Sequence, residues 1–384
     1  MKRIFLDHAS AMPVDPRVSE FAERYLRANF GNPSSLHSVG LEAKTAIEDA
    51  RKKIAELINA GNENCIVFTS GATESNNLAI KGTALRNISK GKEIAASAIE
   101  HMSVLNPMKE LQKNGFKLTI IPVDSTGIID TEELGRILTK NTTVTSIMYA
   151  NNEIGTIEPV KEISEVVHEK GLYLHVDATA AAGRIAIDVQ SDGIDLLTLS
   201  SNDMGGPQGA GVLYMKPGVR LQPILPGGGQ ERGLRSGTEN LFTIAGMGEA
   251  ARIAKDQMDE ESKRLKEIRN ELIDEIFNID ESYLTGHNTQ RLPHHASFRF
   301  SRIEGESIVL NMDTVYNIQV STGSACSSKT LEPSHVLLAI GLKHEEAHGS
   351  MVLTLGPSNK AQETPVIAKA VKETVERLRK LSPL

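Results

Sequence analysis

Between Gly171 and Gly211 two short apolar runs each end in a group of polar residues. Residues 173–176 run into Asp177, and residues 196–199 run into Ser200-Ser201-Asn202-Asp203. Polar groups at the carboxyl ends of buried parallel strands are where open α/β sheets bind ligands. A carboxylate at Asp177 can keep the nitrogen of a pyridine cofactor protonated and so preserve an electron sink; in a purely structural role, Asp-Ala-Thr would serve as a helix N-cap. Thr69-Ser70-Gly71-Ala72-Thr73-Glu74 follows another apolar run and opens a helix. Free backbone N–H groups and the helix dipole bind phosphate at such a position. Glu100-His101 offers an imidazole that can stack on an aromatic ring, and Asn151-Asn152-Glu153 closes the run 144–149. Four strand ends meeting at one sheet edge carry more weight than any one of them.

Two other groups could do chemistry of a different kind. Cys326 sits in Ser321-Thr322-Gly323-Ser324-Ala325-Cys326-Ser327-Ser328, a small and polar stretch. A thiol on such a loop is suited to accepting sulfur or binding metal once it ionises, and thiolates are the usual ligands of iron-sulfur clusters. Cys65, in an apolar run, is expected in the core. His344-Glu345-Glu346-Ala347-His348 matches the string in which two His bind zinc and a Glu acts as base, so a metalloprotease through His344, Glu345 and His348 is a minor alternative. Gly341 and Gly349 leave that motif barely two turns, and no third ligand follows it. His294-His295, beside Pro293, reads as a turn feature.

The elements that must position these groups follow from the hydrophobic pattern. Apolar runs at 65–68, 94–96, 118–121, 144–149, 173–176, 196–199 and 212–215 alternate with helical periodicity, which predicts a largely parallel sheet covered by helices on both faces. Residues 240–277 lack Pro, contain only Gly246 and Gly248, and read as a long or slightly broken helix. Beyond it, a strand at 296–300 and a charged amphipathic helix at 364–381 indicate a second, α+β unit. At 384 residues the chain exceeds what one core serves. The expected division is a large domain over 13–255 and a small one over 1–12 and 256–384 that carries the Cys326 loop.

Composition narrows the partners. With 42 basic and 49 acidic residues the net charge is -7, which gives no electrostatic case for nucleic acid or a membrane surface. No apolar stretch approaches the roughly 20 residues of a spanning helix, and the start MKRIFLDHAS turns polar after three apolar residues, so a cytoplasmic location is expected. Two distant cysteines disfavour a disulfide framework or a cysteine zinc site.

The strings LDHASAMPVDPRV, FGNPSSLHSVG, VFTSGATESNNLAIKG, NNEIG, HVDAT, GGGQERGLRSGTEN, EGES, STGSACSS and LEPSHVL closely resemble the NifS and IscS type of cysteine desulfurase over nearly the whole chain. That resemblance implies a type I, aminotransferase-like pyridoxal-phosphate fold, with a mostly parallel seven-stranded large domain and a smaller α+β C-terminal domain. It also implies a homodimer with sites at the subunit interface. By the same resemblance Ala72, Thr73 and Ser200, in the Ser200-Ser201-Asn202 run, hold the cofactor phosphate, helped by Thr238 from the other subunit. His101 stacks on the ring, Asn152 sits near the ring oxygen and substrate, Asp177 pairs with the ring nitrogen, and Cys326 receives sulfur as a persulfide.

The departures cluster in the active site. The family's His-Lys is Asn202-Asp203, the Gln after its Asp-Ala-Thr is Ala180, its two arginines are Val352 and Pro357, and its early Thr-Thr is Ala11-Met12. Asp203 cannot bond covalently to an aldehyde cofactor as a lysine amine does. Its charge would repel a phosphate by about 1 to 4 kcal/mol at roughly 4 Å. Val352 offers none of the charge-assisted hydrogen bonds, each worth roughly 1.5 to 3 kcal/mol, that an arginine gives a carboxylate. The expected role lies in iron-sulfur cluster assembly. In it Cys326 is a persulfide carrier or cluster ligand toward a scaffold protein of the IscU type, pyridoxal phosphate is held non-covalently if at all, and self-sufficient desulfuration of L-cysteine is weak or lost. The alternative is an active pyridoxal-phosphate-dependent desulfurase that releases alanine.

Overall fold

The computed structural model describes residues 2–323 and 333–381. Its main sheet has seven strands in the order Ile66–Thr69, Gly211–Met215, Leu196–Ser200, Leu174–Asp177, Thr142–Ser146, Glu93–Ser97 and Lys117–Ile121. Gly211–Met215 is antiparallel to both its neighbours, and the other pairings are parallel. The fold class expected from the sequence is the one observed. Four of the strands, Ile66–Thr69, Thr142–Ser146, Leu174–Asp177 and Leu196–Ser200, are buried at every residue, as they must be when helices cover both faces. Parallel strands put their carboxyl ends on one edge, which is why Ser97, Ser146, Asp177 and Ser200 all arrive at the same side.

The segment 240–277 is one unbroken helix, Leu241–Ile276. Its 36 residues span about 54 Å at roughly 1.5 Å per residue. Gly246 and Gly248 do not break it; they let neighbours approach. A Cβ on Gly246 would lie 2.7 Å from the Pro207 ring, and one on Gly248 would lie 2.5 Å from Ala50 Cα in the helix Ser38–Leu57. The first half of the long helix contributes Leu241, Ile244, Met247 and Ala251 to the core under the main sheet. Its second half contributes Leu265, Ile268, Leu272 and Ile276 to a separate core.

That second core lies against a three-stranded antiparallel sheet, in which His295–Phe300 pairs with Ser350–Thr354 on one side and Ser282–Leu284 on the other. The helices Gly305–Tyr316 and Thr364–Leu381 supply Ile308, Met312, Ile367 and Val371 to it. The amino terminus returns here. Ile4–Phe5 pairs in parallel with Ile318–Gln319, Asp7 bridges to Thr354, and Ile4 and Leu6 are buried in the same core. The route carries His8 and Ala9 directly to the edge of the main sheet. No helix among the described residues is long and apolar enough to cross a membrane.

Candidate cofactor and substrate cleft

A cleft at the carboxyl edge of the main sheet gathers Ala72, Thr73, His101, Asn152, Asp177, Ala180 and Asp203. Asp177 ends its strand, buried, with both carboxylate oxygens engaged: Asn76 Nδ2 donates to Oδ2 at 2.7 Å, and the Thr179 amide donates to Oδ1 at 3.0 Å. Asn76 Nδ2 also reaches the Ser103 hydroxyl at 2.8 Å, and that hydroxyl lies 2.8 Å from His101 Nδ1. One network therefore fixes the carboxylate that would meet a pyridine nitrogen and the imidazole that would cover the ring. His101 also N-caps the helix Met102–Lys113, its Nδ1 accepting from the Ser103 amide at 3.1 Å. Behind Asp177, His175 is buried between the Ser146 and Thr198 hydroxyls, at 2.8 and 3.1 Å. Burial lowers its pKa to about 4 against the pull of Asp177's charge, so it is a neutral wall.

The phosphate end is a helix start built for an anion. The helix Ala72–Arg86 begins after Gly71 with no side-chain cap, so its first amides are uncommitted. Gly211 lets the neighbouring strand Gly211–Met215 pack against this helix start, since a Cβ on Gly211 would fall 2.5 Å from Gly71 Cα. Glu74 accepts from the Ser70 amide at 2.8 Å and from Arg235 Nε at 2.9 Å. A second tie is buried: Arg51 grips Glu231 through two hydrogen bonds of 2.9 and 2.8 Å, and Glu231 also takes the Phe68 amide at 2.8 Å. The segment 225–240 is thereby pinned beside the cradle. Thr238 on that segment is exposed and lines a neighbouring depression with Ser70 and Glu231, apart from the cleft in this chain.

Asn152 is presented by a turn that Asn151 organises. The Asn151 side chain is fully buried, accepts from the amides of Glu153 and Ile154 at 2.7 and 2.9 Å, and donates to the Ile99 carbonyl at 2.9 Å. Glu100 is also buried, accepting from the Met148 amide at 2.6 Å. Burial, and after it the charge of Asp177, pushes its pKa well above the ordinary carboxylate value.

Asp203 stands in the short turn Asn202–Met204 and faces the cleft. Burial pushes its pKa up to about 6; a hydrogen bond from Ser200 and the charge of Arg184 oppose that rise, and Asp177 adds to it. Of the residues next to it, Ser200 and Ser201 are buried, and Ser201 Oγ and Asn202 Oδ1 have no hydrogen-bond partner. Thr179 Oγ1, on the cleft wall, is also without one. No lysine of the described residues lines the cleft. An uncapped helix start, a doubly held carboxylate opposite an imidazole, and spare hydroxyls fit a phosphorylated pyridine ring, whereas the anchoring amine has no counterpart among the described residues.

Several expected residues lie elsewhere. Val352 is buried in the small sheet, 3.1 Å from where a Cβ on Gly323 would stand, and Pro357 is exposed; neither lines the cleft. Cys326 lies outside the described residues. Cys65 is buried, as its apolar run implied. His344, Glu345 and His348 fall in a five-residue helix, and no group of three potential ligands able to hold a metal occurs among the described residues. Glu346 instead caps that helix, taking the Lys343 amide at 3.0 Å.

Of the pair His294-His295, His294 lies in the turn after Pro293 as expected, while His295 opens a strand. Both rings are buried and line the cleft, because the strand His295–Phe300 starts there, and His295 Nε2 lies 2.9 Å from the Asn152 carbonyl. Four groups that sequence patterns did not single out share this wall or support it: Asn76, Ser103, His8 and Arg184. Only the polar positions of Asn76 on an otherwise apolar helix face, and of Ser103 two residues after His101, hinted at the first two.

The comparisons agree with this architecture. The chain belongs to the class-V aminotransferase family, whose profile matches residues 4–364, and within it to the cysteine desulfurases of the NifS and IscS type. Cysteine desulfurase IscS 1 of Archaeoglobus fulgidus is 55% identical over 380 residues, covering 99% of each chain. Cysteine desulfurase IscS of Dictyoglomus turgidum is 46% identical over 385 residues, covering 100% of this chain and 97% of the relative. A solved structure described as a NifS-like protein superposes with a TM-score of 0.91 at 34% identity, over 98% of this chain and 100% of that one. This family uses pyridoxal phosphate.

Proposed function

We propose that this protein is a cysteine desulfurase of iron-sulfur cluster assembly that holds pyridoxal phosphate in the cleft without a covalent link and takes L-cysteine beside it. The observation that carries this reading is the doubly hydrogen-bonded Asp177 facing the same space as His101 and the uncapped start of the helix Ala72–Arg86. The amides of Ala72 and Thr73 would hold the phosphate, with Ser200 and, from a second subunit of a homodimer, Thr238. Asp177 would hold the ring nitrogen, His101 the ring face and Asn152 the ring oxygen. Bound there, the cofactor supplies an electron sink for the substrate carbon. Asp203, with its pKa near 6, can take up and return a proton close to neutral pH. It replaces the proton-handling part of a lysine's role and not the covalent part.

The names of the relatives, all full-length cysteine desulfurases, favour this active reading over the expected loss of activity. One observation favours a second reading: no lysine among the described residues lines the cleft to anchor the cofactor. On that reading Cys326 carries sulfur delivered by another enzyme, or ligates a cluster, toward a scaffold protein. A large unit over 13–255 and a small one over 1–12 and 256–384 would then serve chiefly to present that thiol. The deciding experiment titrates the purified protein with pyridoxal phosphate, follows the absorption spectrum, and measures alanine released from L-cysteine. Saturable binding that borohydride does not fix to the chain, with alanine formed and lost in Asp203→Ala, supports the first reading. Cofactor binding with no alanine, alongside sulfur accepted on Cys326 from an added desulfurase, supports the second.

A further inference from the structure

Arg184 is a buried cation without an anion. Its side chain lines the cleft, the residue is only 6% exposed, and its hydrogen bond goes to the thioether of Met12 at 2.5 Å. The charges of Asp203 and Glu261 lie near enough to favour its protonation. Neither carboxylate comes within ion-pair distance of it, and Glu261 is already gripped by Arg264 at 2.6 and 2.8 Å. A guanidinium removed from water normally sits on a carboxylate or phosphate, since leaving it alone is costly.

Two imidazoles converge on the same space. His8 comes from the amino-terminal segment, 3% exposed, and neither ring nitrogen makes a well-aligned hydrogen bond, although Asn359 is close enough to favour its charged form. Its ring is held edge-on to Phe5 at 4.9 Å, over Gly356, where a Cβ would fall 2.4 Å from Nε2. His294 comes from the turn just before the small sheet, 4% exposed, with Nδ1 unpartnered. Burial first, then Arg184's charge, holds the pKa of His8 down to about 4 and that of His294 well below the usual histidine value. Each neutral ring keeps one N–H to donate.

We infer that Arg184, with His8 and His294, forms an anion subsite of the cleft that takes the carboxylate of a small thiol-bearing acid such as L-cysteine. It deepens the function proposed above and rests on it for the identity of the acid. Three separate chain segments bring these donors together, and each has hydrogen-bonding capacity unused within the protein. The planar guanidinium fork suits a carboxylate, and Asp203 nearby would oppose a dianion more than a monoanion. The phosphate of a cofactor already has the helix start at Ala72. The subsite thus gives the cleft a carboxylate clamp that Val352 and Pro357 cannot supply.

The test is calorimetric titration of the full-length protein with 3-mercaptopropionate, which has the carboxylate and thiol but no amine, and with cysteamine, which has no carboxylate. Arg184→Gln is expected to weaken 3-mercaptopropionate at least about tenfold, and Arg184→Lys by no more than about threefold, with cysteamine alike in all three. Equal affinity of wild type and Arg184→Gln, or no binding by wild type, overturns the subsite. Phenylglyoxal labelling of the wild-type protein, read by peptide mass, covers the case in which Arg184→Gln does not fold. Saturating 3-mercaptopropionate should protect Arg184; an Arg184 that is unprotected, or never labelled, counts against the subsite. A separate absorbance titration with pyridoxal phosphate keeps the two proposals apart. Failure there with an intact Arg184 effect removes the cofactor reading and leaves the anion subsite standing.

Discussion

Replacing Asp203 by Asn isolates the cost of putting a carboxyl where the family has an amine. Burial raises the Asp203 pKa from 3.8 to about 6, which corresponds to about 3 kcal/mol. The direction follows from which state keeps the proton. The unfolded chain ionises this group above about pH 4, whereas the folded protein does so only above about pH 6, so the unfolded state alone gains from ionisation in that window. Wild-type stability therefore falls from pH 4 to pH 6 through this group, and the full cost persists above pH 6. The Asn variant lacks this dependence. Its stability relative to wild type should rise by up to about 3 kcal/mol across the window and stay level from pH 6 to pH 8. The attraction of Arg184 for the ionised carboxylate is already contained in that pKa, and any change in packing or hydrogen bonding adds an offset that does not vary with pH, so the change with pH is the diagnostic. Urea unfolding followed by circular dichroism, at one protein concentration and closely spaced pH values, measures it; other buried acids titrate in both proteins and cancel in the difference. A difference that is flat between pH 4 and pH 6 would refute the argument that Asp203 is desolvated in the cleft.

Three further predictions rest on single contacts. Glu231→Gln removes the buried carboxylate from Arg51, leaving it the half-exposed Glu48, and should cost about 3 kcal/mol, while the apolar pair Arg51→Met with Glu231→Leu should cost less; a harmless Glu231→Gln in chemical denaturation would show the pair to be dispensable. Asp177→Asn should weaken pyridoxal phosphate at least about tenfold in an absorbance titration without changing helix content, because the charged acceptor for a protonated ring nitrogen is gone. Unchanged affinity would place the ring nitrogen elsewhere. Asp203→Lys should make the cofactor fixable by borohydride, with the mass gain on the substituted peptide; a gain on any other lysine would locate a different anchor.

The sheet was legible because its strands are short, apolar and separated by helical periodicity, and the four strand-end groups were legible because polar residues break those runs abruptly. Residues 72–73, 101, 152, 177 and 203 meet as that pattern implied. The rest of the wall was hidden for a physical reason: His8, Arg184 and His294 come from segments whose local patterns say nothing of where the chain carries them. His8 reaches the sheet edge only because Ile4–Phe5 pairs with Ile318–Gln319, more than 300 residues away. His294 sits in the turn that Pro293 announces, but only the pairing of His295 with Thr354 shows that a strand starts at once and that both rings face the cleft. The long helix was seen correctly, but its two glycines read as possible breaks because the sequence does not show that Pro207 and Ala50 press against them.

Charge balance ties these residues together. Exchanging cations at three positions for Asp203, Val352 and Pro357 while keeping Asp177 would, by itself, leave two carboxylates facing one small space with Glu100 beneath. The structure relieves this in two ways. Burial, together with the charge of Asp177, raises the pKa of both Glu100 and Asp203 and so moves both toward neutrality. Arg184 supplies the one guanidinium that lines the cleft among the described residues. Its unpaired state then has a use, because a cation that also stabilises Asp203 can accept an incoming carboxylate without first breaking an ion pair. Filling the subsite with an anion would withdraw part of that stabilisation from Asp203 and raise its proton affinity, so binding of the acid itself should favour the protonated carboxyl beside the reacting carbon.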